Sequence, residues 1–212
     1  MKISQKVPLL SCLVLVVVLS ACATGKNKTT GTVLKNSIKK DVEKTEGMER
    51  YLVDIEQYTT SGAVFHKKYH SLLLSIAGEI AETGSLSITR KSVGFYYDRR
   101  SGDRERLYLG IDIQSDIRHP GEYTAAALAI LRNYLSDIID TVMSNSGIFE
   151  EKDVVGLVIG WKWNGDGYRG EITVWIDEND MSGYINDKMT MNELIQKSAV
   201  TDASGKIIRL PL

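Results

Sequence analysis

The sequence predicts an α+β fold, in which helices cover one face of an antiparallel sheet. Two long segments carry apolar residues at helical spacing, and four shorter segments alternate apolar and polar residues as strands do. A helix with one apolar stripe must bury that stripe, and the apolar face of a sheet is the partner this pattern offers. The order of helix then hairpin occurs twice, which suggests an internal repeat closed by a third helix and a last strand.

The first half of the predicted domain holds one helix and one hairpin. A weak alternation over 51–56 predicts a short strand, and apolar residues at helical spacing predict a helix over 63–82. Val93, Phe95 and Tyr97 alternate with polar residues or glycine, and the odd-numbered positions from 107 to 113 do the same. The polar segment 98–104 separates these two strands as a turn.

The second half repeats this order. A helix over 122–144 follows the break at Pro120 and Gly121, and strands around 155–163 and 172–176 flank the turn-forming residues 164–167. Thr190 and Glu193 have the spacing of a capping box, which predicts a short third helix. Gly205 then precedes a last strand over 206–210.

Strand alternation divides the side chains between two faces of the sheet. The face predicted to lie under the helices carries Phe95, Tyr97, Leu107, Leu109, Ile111, Leu157, Ile159, Trp161, Trp163, Ile172, Val174 and Ile176. The opposite face carries Gly94, Tyr96, Tyr108, Gly110, Asp112, Gly156, Gly160, Lys162, Thr173, Trp175 and Asp177.

Repeated glycine on one face of a sheet has two interpretations, because glycine is disfavoured inside strands. The favoured interpretation is structural, with aromatic rings lying over the glycines and shielding the backbone. The other is functional, with a flat backbone and neighbouring rings forming a binding platform. The candidate partner-binding residues on that platform are Tyr96, Tyr108, Asp112, Lys162, Trp175 and Asp177.

The first 22 residues have the pattern of an export signal followed by a cysteine. Lys2 and Lys6 precede an apolar run over 9–19 that is too short to span a bilayer, and Leu19-Ser20-Ala21-Cys22 ends it. This tetrapeptide resembles the lipobox of bacterial lipoproteins. The resemblance implies cleavage before Cys22 and lipid on the sulfur and amine of Cys22. Because Ala23 and not aspartate follows, it implies localisation at the outer membrane facing the periplasm in a host that has one; a host with a single membrane is the alternative. The resemblance divides the chain into a signal peptide (1–21), a lipidated tether (22–46) and one domain (47–212).

The composition of the predicted domain argues against some classes of partner and site. Loss of residues 1–21 removes two lysines and no acidic residue, so the formal net charge changes from −1 to about −3. A net negative charge does not indicate nucleic-acid binding. The chain has two cysteines, of which Cys12 leaves with the signal and Cys22 carries lipid, so we expect neither a disulfide nor a cysteine metal site.

Metal-binding patterns are weak in this sequence. His66 and His70 have the i, i+4 spacing of a zinc site, but Lys67 stands where the zinc-protease pattern has glutamate, and we expect a solvated helix face. Residues 177–180 resemble the start of a calcium loop, but Met181 and Ser182 break the pattern. We therefore predict no metal and no cofactor.

Catalytic motifs are also missing, and we predict that the chain is not an enzyme. No nucleophile elbow, phosphate-binding loop or dinucleotide fingerprint occurs in the sequence. The leading hypothesis is a non-catalytic envelope module that binds a protein or peptidoglycan partner through the open sheet face or an edge strand. The alternatives are a carrier of lipids or other amphiphiles and a glycan or peptide hydrolase using Asp112, Glu171 or Asp177.

Overall fold

The structure is a computed structural model that describes residues 47–58, 60–84, 86–97 and 106–212. The predicted signal peptide, Cys22, the tether and the predicted turn at 98–104 lie outside the described residues. The helices and strands in chain order are α1 (Thr60–Ala81), β1 (Leu86–Ile88), β2 (Gly94–Tyr97), β3 (Leu107–Arg118), α2 (Tyr123–Ser144), β4 (Val154–Asn164), β5 (Arg169–Asp177), α3 (Glu178–Ile185), α4 (Met191–Lys197) and β6 (Ala199–Asp202). Short 3-10 turns occupy Ile55–Gln57 and Ser146–Glu150.

The six strands form one mixed sheet. Its order is β1-β3-β4-β5-β6, and β2 pairs with the N-terminal part of β3 on the same side as β1. All neighbours are antiparallel except β3 and β4, which run parallel. The α+β class is confirmed, but the prediction of an antiparallel sheet is wrong for the central pair. The reason is that α2 crosses over from the end of β3 to the start of β4, so the two strands run in one direction.

The apolar face of this sheet holds the core, as strand alternation predicted. Helix α1 contacts β1 and β2, while α2 contacts β5. Of the twelve side chains predicted to face the helices, all are buried except Tyr97, which is half-buried. They join apolar residues of all four helices in one cluster. Removing this apolar surface from water is the main force that holds the helices on the sheet.

Two predicted strands are corrected by the structure. Within 51–56, only Leu52 makes a bridge, to Val93, and the 3-10 turn follows. The last regular strand is β6 and not 206–210. The Asp202 carboxylate accepts hydrogen bonds from the backbone N–H groups of Ser204 and Lys206, and the chain reverses there. Residue 207 then returns to make a bridge with Thr201.

Two short elements were not predicted. Strand β1 has three residues and α3 has eight, so neither contains enough repeats of a pattern to be recognised. The capping box predicted at Thr190 is present and begins α4. The internal repeat is not confirmed, since the extra strand beside the first hairpin, β1, precedes that hairpin in the chain, whereas β6 follows the second one.

Candidate functional site

The sheet face opposite the helices, which we call the open face, contains a cavity of about 340 Å³. Strand register places two rows of residues on its floor. One row is Asp112, Gly160, Thr173 and Thr201, and the neighbouring row is Gly110, Val158, Trp175 and Ala199. All of them except Ala199 line the cavity, together with Tyr96 from β2 and residues 202, 203 and 205 that follow β6. Small floor residues between larger side chains produce the depression.

The glycines of the open face are explained by what lies on them. A Cβ atom added to Gly110 would overlap the ring of Tyr96, and one added to Gly94 would overlap the hydroxyl of Tyr58. The aromatic-shielding interpretation is therefore confirmed at these two positions. At Gly160 the overlapping group is the Asp112 carboxylate, and at Gly156 it is the backbone carbonyl of residue 176. Gly160 is thus the residue that makes room for a carboxylate on the sheet.

Asp112 is a partly desolvated carboxyl group on the open face. It is half-buried, and its backbone N–H donates to Ser92 Oγ at 3.2 Å. Burial raises the pKa of Asp112; nearby Lys162 opposes this change and Glu171 adds to it. Among the described residues, no hydrogen bond or ion pair reaches the Asp112 carboxylate. A charged group that is partly desolvated and unpaired is costly unless a partner is supplied.

A second, larger depression continues from the first. Its volume is about 990 Å³, and Glu171, Asp202 and Ala203 line both cavities. Its other lining residues are mostly polar or aromatic, namely Gln114, Tyr123, Lys162, Trp163, Asn164, Arg169, Gly170, Ser204 and Ile208. The two cavities together form one surface depression, which we call the open-face groove.

Lys162 and Glu171 stand at the junction of the two cavities. They are partners on β4 and β5, and Lys162 Nζ lies 3.7 Å from Glu171 Oε1. Both side chains are more than 40% exposed. An ion pair this exposed contributes little to stability, so both groups stay accessible to a ligand.

The six predicted partner-binding residues divide into two groups. Tyr96, Asp112 and Trp175 line the smaller cavity, and Lys162 lines the larger one. Tyr108 is only 7% exposed, and Asp177 lies beside it. Neither lines the groove.

Tyr108 and Asp177 support the groove from behind Trp175. The rings of Tyr108 and Trp175 meet edge to face with centroids 5.0 Å apart. The Tyr108 hydroxyl donates to Asp177 Oδ1 at 3.2 Å. These contacts support the indole of Trp175, which lines the smaller cavity.

The sequence did not predict several residues that line the groove. Val158 and Glu171 lie on the open face by register but were not placed there, although Glu171 was named as a candidate carboxylate. Thr201, Asp202 and Ala203 come from β6 and its turn. Alternation over a four-residue strand is too short a signal to identify them.

The two helical histidines do not form a solvated pair. His66 is 3% exposed, and its Nδ1 lies 2.9 Å from the Tyr58 hydroxyl. Burial, with a smaller effect of His70, lowers the pKa of His66. His70 faces Glu49 at 3.1 Å. The expectation of a solvated helix face is therefore wrong for His66, because residues 47–58 pack over this part of α1.

The residues resembling a calcium loop have other roles. Asp177 precedes α3 and accepts from Tyr108, and Asp180 pairs with Lys197 at 2.9 Å. In the part of the chain that the structure describes, no group of three or more His, Cys, Asp or Glu side chains is placed to hold a metal ion.

A serine–histidine pair that the sequence did not indicate lies at the end of β3. Ser115 Oγ is 2.8 Å from His119 Nε2. Ser115 is fully buried and His119 is 8% exposed, and burial lowers the pKa of His119. Neither residue lines the groove, so the pair serves the packing between β3 and α2, where His119 meets the ring of Tyr134.

Comparisons with protein-family models, curated proteins and solved structures gave no match for this chain. No helix within the described ranges has the length and apolar character needed to cross a bilayer.

Proposed function

We propose that this chain is a lipid-anchored envelope protein whose folded domain binds peptidoglycan through the open-face groove. The observation that carries the proposal is the groove itself, which lies on the open face of the sheet and extends to Tyr123 at the start of α2. The lipobox-like segment ending at Cys22 supports a position at the membrane, where lipid chains hold the domain close to the cell wall.

The chemistry of the groove suits a polar polymer. Aromatic rings at Tyr96, Trp175 and Tyr123 provide apolar surfaces for sugar rings or peptide segments. Amide, hydroxyl and charged groups between them match the amides, hydroxyls, amines and carboxylates of glycan strands and their stem peptides. Both cavities are open to solvent, and an open depression admits a polymer that continues beyond the site, which a closed cavity does not.

Binding to the wall is tested by cosedimentation with isolated peptidoglycan. The protein used is the chain from residue 22 onward carrying Cys22→Ser, which keeps the whole domain and tether without lipid. We expect Trp175→Ala to weaken binding about 10-fold or more, because aromatic groups in a binding site commonly contribute over 1 kcal/mol. Val64→Ala is the matched control, since Val64 is 58% exposed on α1, away from the sheet's open face. Equal sedimentation of wild type and Trp175→Ala contradicts the proposal.

The anchor is tested separately in the native host. Radiolabelled palmitate should enter the wild-type protein and not a Cys22→Ser variant, and only the wild type should fractionate with the outer membrane. A Cys22→Ser variant that stays bound to the membrane refutes lipid anchoring without bearing on the groove.

A second candidate function is glycan hydrolysis, which one specific observation favours. Asp112 and Glu171 line the same cavity on strands either side of β4, and Asp112 has a raised pKa. A protonated acid and an ionised carboxylate flanking one groove are the pair that glycosidases require. Release of soluble fragments from peptidoglycan, lost in Asp112→Asn and Glu171→Gln, would establish this activity over simple binding.

A further inference from the structure

We infer that the smaller cavity of the open-face groove binds a primary ammonium group, with Asp112 as its counter-ion. This inference rests on the proposed function, and it specifies which group of the wall is recognised. Peptidoglycan carries primary amines on the diamino acids of its stem peptides. The site would therefore distinguish wall with free amines from wall whose amines are acylated or cross-linked.

The charges that line the cavity favour a cation. Asp112, Glu171 and Asp202 all line it, and no lysine, arginine or histidine is among its described lining residues. Asp202 Oδ1 accepts hydrogen bonds from the backbone N–H and hydroxyl of Ser204 and from the backbone N–H of Lys206, so this carboxylate is held within the turn. The remaining charge on the floor is that of Asp112, with Glu171 at the rim. A ligand of opposite charge is favoured by this arrangement.

Within the described ranges, the Asp112 carboxylate has no hydrogen-bond or ion-pair partner. The charge of Lys162 acts on Asp112 and lowers its pKa, but Lys162 Nζ lies beside Glu171 on the next strand. Burial makes the ionised form of Asp112 costly, and a ligand cation would offset that cost directly. Gly160 leaves the space in which the carboxylate lies on the sheet, and any side chain there would displace it.

Besides the Asp112 carboxylate, other side chains that line the cavity also favour an ammonium group. Tyr96 and Trp175 both line it, and aromatic faces attract cations by about 0.5–2 kcal/mol depending on desolvation. The hydroxyls of Thr173 and Thr201 stand in the same row as Asp112. An ammonium group has three donors and no acceptor, so it can use one carboxylate and two neutral oxygens at once.

Binding should depend on pH through Asp112. The charged or titratable groups around it are Tyr96 on β2, Lys162 on β4, Glu171 on β5 and Asp202 after β6. The pKa of Asp112 lies above that of an ordinary aspartate, because burial penalises the ionised carboxylate. Only the ionised form attracts the ammonium group. Affinity should therefore rise as the pH increases through the raised pKa of Asp112 and then become constant.

The direct test uses n-butylammonium chloride as the probe and 1-butanol as its neutral counterpart. The indole N–H signal of Trp175 is followed by NMR in the chain from residue 22 onward carrying Cys22→Ser. We expect a saturable shift with the amine, at least 10-fold weaker binding in Asp112→Asn, and no change in Asp137→Asn. Asp137 is the control because it is an exposed aspartate on α2. Because both probes are compared on the unsubstituted domain, equal binding of amine and alcohol overturns the inference even if Asp112→Asn fails to fold.

A second experiment separates this inference from the proposed function. Isolated peptidoglycan is treated with acetic anhydride, which converts its free amines to amides, and cosedimentation is repeated. Binding that falls at least 10-fold after acetylation supports ammonium recognition. Unchanged binding overturns the inference but leaves peptidoglycan binding intact. A domain that binds n-butylammonium at Asp112 but never binds peptidoglycan refutes the proposed function and keeps the ammonium site.

Discussion

Gly110 shows how a single residue shapes the open face. It lies on β3 opposite Gly94 of β2, and the ring of Tyr96 covers it. Tyr96 is held there by a hydrogen bond from its hydroxyl to the backbone carbonyl of Ser92 at 2.9 Å. The absence of a Cβ therefore fixes the position of an aromatic wall of the smaller cavity.

Gly110→Ala should destabilise the domain by about 1–3 kcal/mol, because the added methyl group overpacks against the Tyr96 ring. The measurement is urea unfolding followed by tryptophan fluorescence. Gly147→Ala is the matched control, since a Cβ there meets nothing within 4 Å. If the two alanine variants unfold at the same urea concentration, the ring does not lie where the structure places it. In a Tyr96→Ala background, the cost of Gly110→Ala should shrink.

Short elements depend on their ends more than on their length. Helix α4 has seven residues and begins with a complete capping box. Thr190 Oγ1 accepts from the Glu193 backbone N–H at 3.3 Å, and Glu193 Oε2 accepts from the Thr190 backbone N–H at 2.7 Å. This spacing was visible in the sequence. By contrast, α3 starts at Glu178 without a side-chain cap hydrogen bond. The start of α3 was therefore not marked by a capping pattern in the sequence.

Thr190→Ala should cost about 1 kcal/mol of stability, because one N–H at the start of α4 loses its acceptor. Thr190→Ser keeps a hydroxyl and should cost much less. Urea midpoints of the two variants at pH 7 provide the comparison, and equal midpoints would show that the cap does not hold α4. The pKa of Glu193 is lowered, chiefly by the Thr190 backbone N–H. The contribution of the ionised Glu193 carboxylate to stability is therefore present at neutral pH, and it is lost as the pH falls through that lowered pKa.

At the scale of the whole molecule, one apolar cluster joins the four helices to the inner face of the sheet. Leu135 at the centre of α2 is fully buried within it. The crossover through α2 also brings β3 and β4 side by side, so the core and the sheet order depend on the same helix. We therefore expect the described domain to unfold as one cooperative unit.

Leu135→Ala should destabilise the domain by about 2–5 kcal/mol, because it removes buried methyl groups and leaves a cavity. Val64→Ala, on the exposed side of α1, should change stability by less than about 0.5 kcal/mol. Unfolding is followed by far-UV and near-UV circular dichroism. Two separate transitions in Leu135→Ala would contradict a single cooperative core.

By itself, the sequence determined both long helices, the two hairpins, the inner-face side chains and the cap at Thr190. Each of these depends on contacts a few residues apart, or on a repeat long enough to recognise. Only the tertiary structure decided that β3 and β4 are parallel, that β6 lies at 199–202, and that Asp112, Trp175 and Thr201 meet in one cavity. Those features depend on which strands become neighbours, and strand neighbours are set by packing between segments far apart in the chain.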